Sequence, residues 1–147
     1  MTFHTIAIQT ARRYGIMRIE ETAAAAVTPG DLLEYSAGNV QPHSTAAGTD
    51  VGSRMVALET MTPATGTTPA IDQDYAAGDR VYVGLPVPGD VLYMWLATGS
   101  NVAKGDSLES AGSGALKAAT TGAVVGIAAE ALNNASGSNV RIKVRII

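Results

Sequence analysis

The last nine residues, NVRIKVRII, alternate without a break: Val140, Ile142, Val144 and Ile146 fall on one face, Arg141, Lys143 and Arg145 on the other. A period of two specifies a half-buried strand, and a slip of one residue would turn every apolar side chain outward. The competing period is missing from the chain, because no longer window places apolar residues at i, i+3, i+4 and i+7 with caps. Ala23–Ala26 is too short for a stable helix, and Pro29-Gly30 ends it. The expectation is therefore an all-β fold. Strands are expected where Ile6 and Ile8 alternate, at Ile16–Glu20, and at Met55–Glu59, the last short and half-buried. Further strands are expected at Arg80–Leu85, Val91–Ala97, Val124–Ala131 and Val140–Ile147, bounded by Gly, Pro, Asn or Asp.

One small pattern recurs. Gly30-Asp31, Gly78-Asp79, Gly89-Asp90 and Gly105-Asp106 each stand just before an apolar residue. Glycine takes a positive φ freely and the aspartate carboxylate can accept a nearby backbone N–H, so each reads as a turn feeding a strand, and together they suggest a hairpin-rich sheet. Their irregular spacing is shared turn chemistry rather than a solenoid repeat. Three stretches read as loops: Ala37–Ser53, Met61–Ala70 and Asn133–Asn139. Residues 1–27 lack dense turn signals and read as an extended N-terminal arm, which could pair with a neighbour or form a first strand of its own sheet. Residues 28–147 read as a single β-domain, a small sandwich or barrel-like (β-tulip or jelly-roll-like) unit.

Composition limits the core. Of the 46% apolar residues among 147, 25 are alanine, and the aromatics are Trp95, Phe3 and five tyrosines. Bulky packing material is scarce, so part of the apolar surface is expected to be buried against other subunits. Trp95, in VLYMWLA, is expected in the core or at a subunit interface. The absence of cysteine removes disulfides, thiolate catalysis and Cys-containing zinc patterns. No apolar run is long enough for a membrane helix, and MTFHTIAIQTARR lacks the order of a signal peptide, so the chain reads as soluble and intracellular, with no membrane partner.

The net charge of −3 argues against general nucleic-acid binding. The charge is segregated, however. Arg12, Arg13 and Arg18 are unopposed in residues 1–19, as are Arg141, Lys143 and Arg145 in residues 131–147, while all 13 acids lie between. The six cations and Trp95 are the candidate interface residues, provided the two ends sit together; solvated charges that guard edge strands are the alternative.

Catalytic and metal chemistry find little support. His4 and His43 are the only histidines, no Gly-x-Ser-x-Gly elbow occurs, and His43-Ser44 with Asp50 is a poor triad because sequence neighbours on a strand point apart. Asp72-Gln73-Asp74 lacks the closing glutamate of a calcium loop. No phosphate-cradling glycine pattern opens a helix. NVAKGDSLESAGSGALKAA resembles the turn-strand pattern of lipoyl and biotinyl carrier domains, but neither Lys104 nor Lys117 has the flanking residues of a modified lysine. No catalytic, cofactor or metal site is expected.

From about Pro29 onward the order of PGDLLE, NVQPHSTAAG, MVALE, AAGDRVYV, NVAKGDSLESAGSGAL, AVVGIAAEA and RIKVRI resembles tailed-phage capsid decoration, or cement, proteins. The resemblance implies a non-enzymatic, all-β virion protein on the capsid exterior, assembled in the host cytoplasm. It further implies a major capsid protein as partner and a homo-oligomer, commonly a trimer, that clamps neighbouring capsid subunits. A virion surface or glycan-binding β-module is the alternative.

Overall fold

The computed structural model describes residues 3–47, 54–60 and 68–147. Among them are thirteen strands and a single 3₁₀ turn at Ala70–Asp72. The all-β expectation holds.

The strands form two five-stranded rings. In the first, β2 (Met17–Thr22), β3 (Leu32–Ser36), β4 (Asn39–Pro42), β5 (Met55–Ala57) and β6 (Arg80–Leu85) are ordered β2-β6-β5-β3-β4. Its ends meet where Ala23 bridges Val40, with the Ala24 N–H donating to the Val40 carbonyl at 2.7 Å. The second contains β7 (Val91–Leu96), β9 (Ser107–Gly112), β10 (Ala115–Ala118), β11 (Val124–Ala128) and β13 (Val140–Ile146), ordered β7-β10-β9-β11-β13. β13 closes it by pairing antiparallel with β7, from Val140 opposite Leu96 to Arg145 opposite Val91. A ribbon of β8 (Asn101–Val102) and β12 (Leu132–Asn133) flanks this β7 ring. Closure leaves few backbone edges open, which is how a small β-protein avoids edge-to-edge pairing.

Residues 3–27 contribute two strands, both paired with strands of the same chain. β1 (Ala7–Gln9) lies on β7, Ala7 opposite Leu92 and Gln9 opposite Val91, sharing that edge with β10, which takes Leu96. β2 pairs with β6 along its whole length, and Ile6, Ala23 and Val27 are fully buried.

The rings share a wall. Alternate residues of β3 and β5 serve different cores: Leu33, Met55 and Ala57 pack inside the β6 ring with Val81 and Val83, whereas Leu32 and Val56 pack with Leu92, Met94 and Leu116 of the β7 ring. β5 is consequently buried at all three positions, not half-buried as its sequence suggested. A short apolar run flanked by turns reads the same way whether one face or two are covered, and here the second ring supplies the other cover.

The four Gly-Asp turns are alike. Each glycine has φ between 89° and 101°, and each aspartate N–H donates to the carbonyl three residues back at 3.0–3.1 Å. One carboxylate oxygen then accepts the N–H of that same residue at 2.8–2.9 Å. Each feeds a strand as expected, but none closes a hairpin. Two of them carry the chain from one sheet to another, Asp90 between β6 and β7 and Asp106 between β8 and β9, while Asp31 and Asp79 precede β3 and β6 within the β6 ring. The actual hairpins turn at Ala37-Gly38 and Ser113-Gly114, where both residues of each pair have positive φ. The Ala37–Ser53 stretch, expected as a loop, therefore begins with β4, and its residues 48–53 lie outside the described residues, as do residues 61–67 of the second expected loop.

Candidate interaction surface

Two segments of like charge at opposite ends of the sequence become neighbours. Because β1 and β13 lie on either side of β7, Gln9, Val91 and Arg145 stand in one cross-strand row. Asp90 secures the junction. It is 1% exposed; its Oδ1 accepts the Ala11 N–H at 2.6 Å, its Oδ2 the Val87 N–H, and its carbonyl the Ile146 N–H at 2.9 Å. The loop from Thr10 to Gly15 is thereby held beside the end of β13. It carries Arg12, the exposed Arg13 stacked over Tyr14 at 5.6 Å, and Tyr14 itself, 90% exposed.

Beside that loop lies a cleft of about 480 Å³ lined by Phe3, Ile8, Val91 and Ala128, with Lys104, Lys143 and Arg145 around it and no acidic residue in its lining. Lys143 Nζ is 3.7 Å from Glu130 and lies over the Phe3 ring at 5.7 Å. Phe3 stacks edge-on against Tyr93. Charge divides along the same line as the fold. Among the described residues, 3–15 and 86–147, which build the β7 ring, hold seven bases against four acids, and those within 16–85, which build the β6 ring, hold three against eight.

The structure separates the seven sequence candidates into three groups. Arg12, Arg13, Lys143 and Arg145 belong to the surface just described. Arg141 and Trp95 lie at the seam between the rings. Arg141, expected on a solvated face with the other two cations, donates from Nη1 to Asp72 at 2.6 Å and from Nη2 to the Pro29 and Ile71 carbonyls. Its guanidinium covers the Trp95 ring at 4.2 Å, and Trp95 Nε1 donates to the Pro29 carbonyl at 3.0 Å. Gly30 makes this approach possible, since a Cβ there would lie 2.9 Å from the Tyr93 carbonyl. Trp95 is partly buried and outside both cores. Arg18 stands on β2 of the other ring, over the Tyr82 ring at 5.9 Å.

Sequence reading missed several buried polar groups. Asp31, 7% exposed, accepts the Thr28 N–H, and burial pushes its carboxyl up to about 7, helped by Asp74 and opposed by that N–H and Arg141. Glu109 is fully buried; burial alone would raise it, but Thr120, the Gly122 N–H and Lys117 hold it below its ordinary value. His43 is 3% exposed, with Nδ1 2.9 Å from Ser110 Oγ and Nε2 3.7 Å from Glu34. Ser110 is 1% exposed, so this hydroxyl is closed to a substrate and the group braces β4 against β9. The Asp72-Gln73-Asp74 carboxylates diverge in role, Asp72 held by Arg141 and Asp74 exposed. Among the described residues, no cluster of three or more His, Cys, Asp or Glu could hold a metal, and no helix is long and apolar enough to cross a membrane.

No family model matches the sequence, and no curated protein does. Among solved structures, the fold is similar to the N base of head fiber protein gp8.5 of bacteriophage phi29. The likeness has a TM-score of 0.57 at 18% identity, over 90% of this chain and 94% of that one. At that identity the likeness is one of fold.

Proposed function

We infer that this chain is a non-enzymatic structural protein of a phage virion that binds the outer surface of the capsid shell and cements neighbouring major capsid proteins, as a homo-oligomer with a trimer favoured. The observation that carries the reading is the likeness of nearly the whole chain to a phage head protein. The molecule suits the task. Two closed rings withhold their sheet edges, so association falls to side-chain surfaces, and Arg and Tyr, the types presented by the Thr10–Gly15 loop, are enriched at binding hot spots. Apolar burial contributes about 25 cal/mol per Å² before association costs, and repetition over a shell makes modest single contacts cumulative. The neighbour's name favours one second reading, in which the chain is the base of a projecting fiber.

The test is a solution mass of the purified protein followed by co-sedimentation with shells of its phage that lack it. A trimer that saturates shells and raises their melting temperature is the expected result. A monomer that stays in the supernatant contradicts the reading, and electron microscopy of loaded shells separates a flat clamp from a fiber base.

A further inference from the structure

We propose that the cleft on the β7 ring is a binding site for an acidic, extended segment of a partner protein. The assignment of that segment to the capsid rests on the shell-binding reading above, whereas the chemistry of the cleft does not.

Three observations lead there. The cleft combines an apolar lining with three cations and no acid, and the backbones of Gly89 and Gly105 also line it, leaving room for another chain to approach closely. Its cations are poorly satisfied from within. The Lys104 and Arg145 side chains are exposed and make no hydrogen bond or ion pair among the described residues, and Lys143 alone has a carboxylate, at 3.7 Å. The other acids of that ring are committed elsewhere: Asp90 and Asp106 hold turns, and Glu109 is buried. Finally, the Arg12-Arg13-Tyr14 loop extends the cationic surface next to the cleft, for a Cβ on Gly89 would lie 3.3 Å from Ala11 Cβ.

Charge decides among anionic occupants. A long polyphosphate backbone would meet three cations in the cleft and then the β6 ring, where acids outnumber bases eight to three among the described residues. A short acidic peptide responds to the local field alone, because screening acts over about 8–10 Å at physiological salt. A second copy of this chain is a weaker match, since most carboxylates of the β6 ring are already held: Glu20 by Arg80, Glu21 by Tyr35, Asp72 by Arg141, and Glu59 by Thr5 and the Ile6 N–H.

The experiment titrates fluorescein-labelled hexaglutamate into the intact protein by fluorescence anisotropy, at low and physiological salt. Wild type is compared with the double variant Lys104→Glu/Arg145→Glu and with Arg80→Glu, which reverses a cation on the other ring. Both cleft residues are exposed, and thermal melts check that each variant folds. The double variant should bind the peptide about tenfold or more weakly, Arg80→Glu should bind as wild type, and added salt should weaken wild-type binding. Equal affinity in all three proteins overturns the proposal. So does an unlabelled short oligonucleotide that competes better than unlabelled hexaglutamate, or salt-sensitive self-association abolished by the double variant without peptide binding. Co-sedimentation separates the two layers. Shells bound equally by wild type and double variant overturn the assignment of the acidic segment to the capsid while leaving the shell-binding reading intact; the expected peptide pattern with no shell binding by wild type overturns the shell-binding reading and leaves the cleft standing.

Discussion

Both rings have five strands, yet they differ in what fills them and in what they show to solvent. The β7 ring is packed with large aliphatic side chains such as Leu92, Met94, Leu96, Leu108 and Ile142, and it borrows Leu32, Val56, Leu58 and Ile71 from the other half of the chain. The β6 ring is filled by smaller residues, including Ala23, Ala57 and four valines, around Met55 and Tyr75. Tyr75 donates to the Leu58 carbonyl at 2.8 Å, and burial pushes its phenol up to about 12. Scarcity of bulky residues is thus confined to one ring, which compensates by placing its wall strands between two cores. The charge follows the same division, with unsatisfied cations on the well-packed ring.

The sharpest way to break this comparison uses two adjacent leucines. Leu32 and Leu33 are both at most 1% exposed but point into different cores. Leu32→Ala and Leu33→Ala should each cost about 2–5 kcal/mol. Because the wall is shared, both should lower the midpoint of a single denaturant transition. Two transitions, of which Leu33→Ala shifts only one, would show that the rings unfold independently.

The turns give the next largest effect. Asp90 and Asp79 occupy equivalent positions in identical turns, but Asp90 is buried and also accepts the Ala11 N–H, whereas Asp79 is exposed. Asp90→Ala should cost about 2–4 kcal/mol by orphaning two backbone donors, and Asp79→Ala under about 1 kcal/mol. Chemical denaturation of the two variants checks the difference; equal losses would mean that the link between the chain ends contributes nothing.

A smaller effect depends on pH. The folded protein holds the Asp31 proton up to about 7, against an ordinary value of 3.8, so the fold binds more protons than the unfolded chain between these values. Stability should therefore fall as pH rises through that window, with the full loss reached above it. Asp31→Asn keeps an acceptor for the Thr28 N–H and removes the charge. Thermal melts should show the variant more stable than wild type at alkaline pH, with the gap closing in acid. A gap that widens toward acid would contradict the burial of Asp31.

Much of the fold was legible because it is local. Arg80–Leu85 was read with its observed bounds, and the alternation of Val140–Ile146 places Ile142, Val144 and Ile146 in the core. The Gly-Asp turns were read down to the carboxylate that caps each. β4, inside the stretch read as a loop, escaped notice because its hairpin with β3 turns at Ala37-Gly38, a pair that signals a turn weakly and takes a strained positive φ at a non-glycine residue. The candidate surface was half legible. Charge segregation marked both ends, but only the placement of β1 and β13 around β7 brings them together, and only the β6 ring explains why Arg141 is withdrawn into a seam. Lys104 completes the cleft from a distant turn that no local pattern connects with Arg145.

The central claim, that the protein docks on a capsid shell through the cationic ring, is tested most directly by a hydrogen-exchange footprint of the shell-bound protein against the free one. Protection should concentrate at Ile8–Tyr14, around Lys104-Gly105 and along Lys143–Arg145, leaving Asp74–Arg80 unchanged. Protection centred on Asp74–Arg80, or none on the cationic ring, would contradict it.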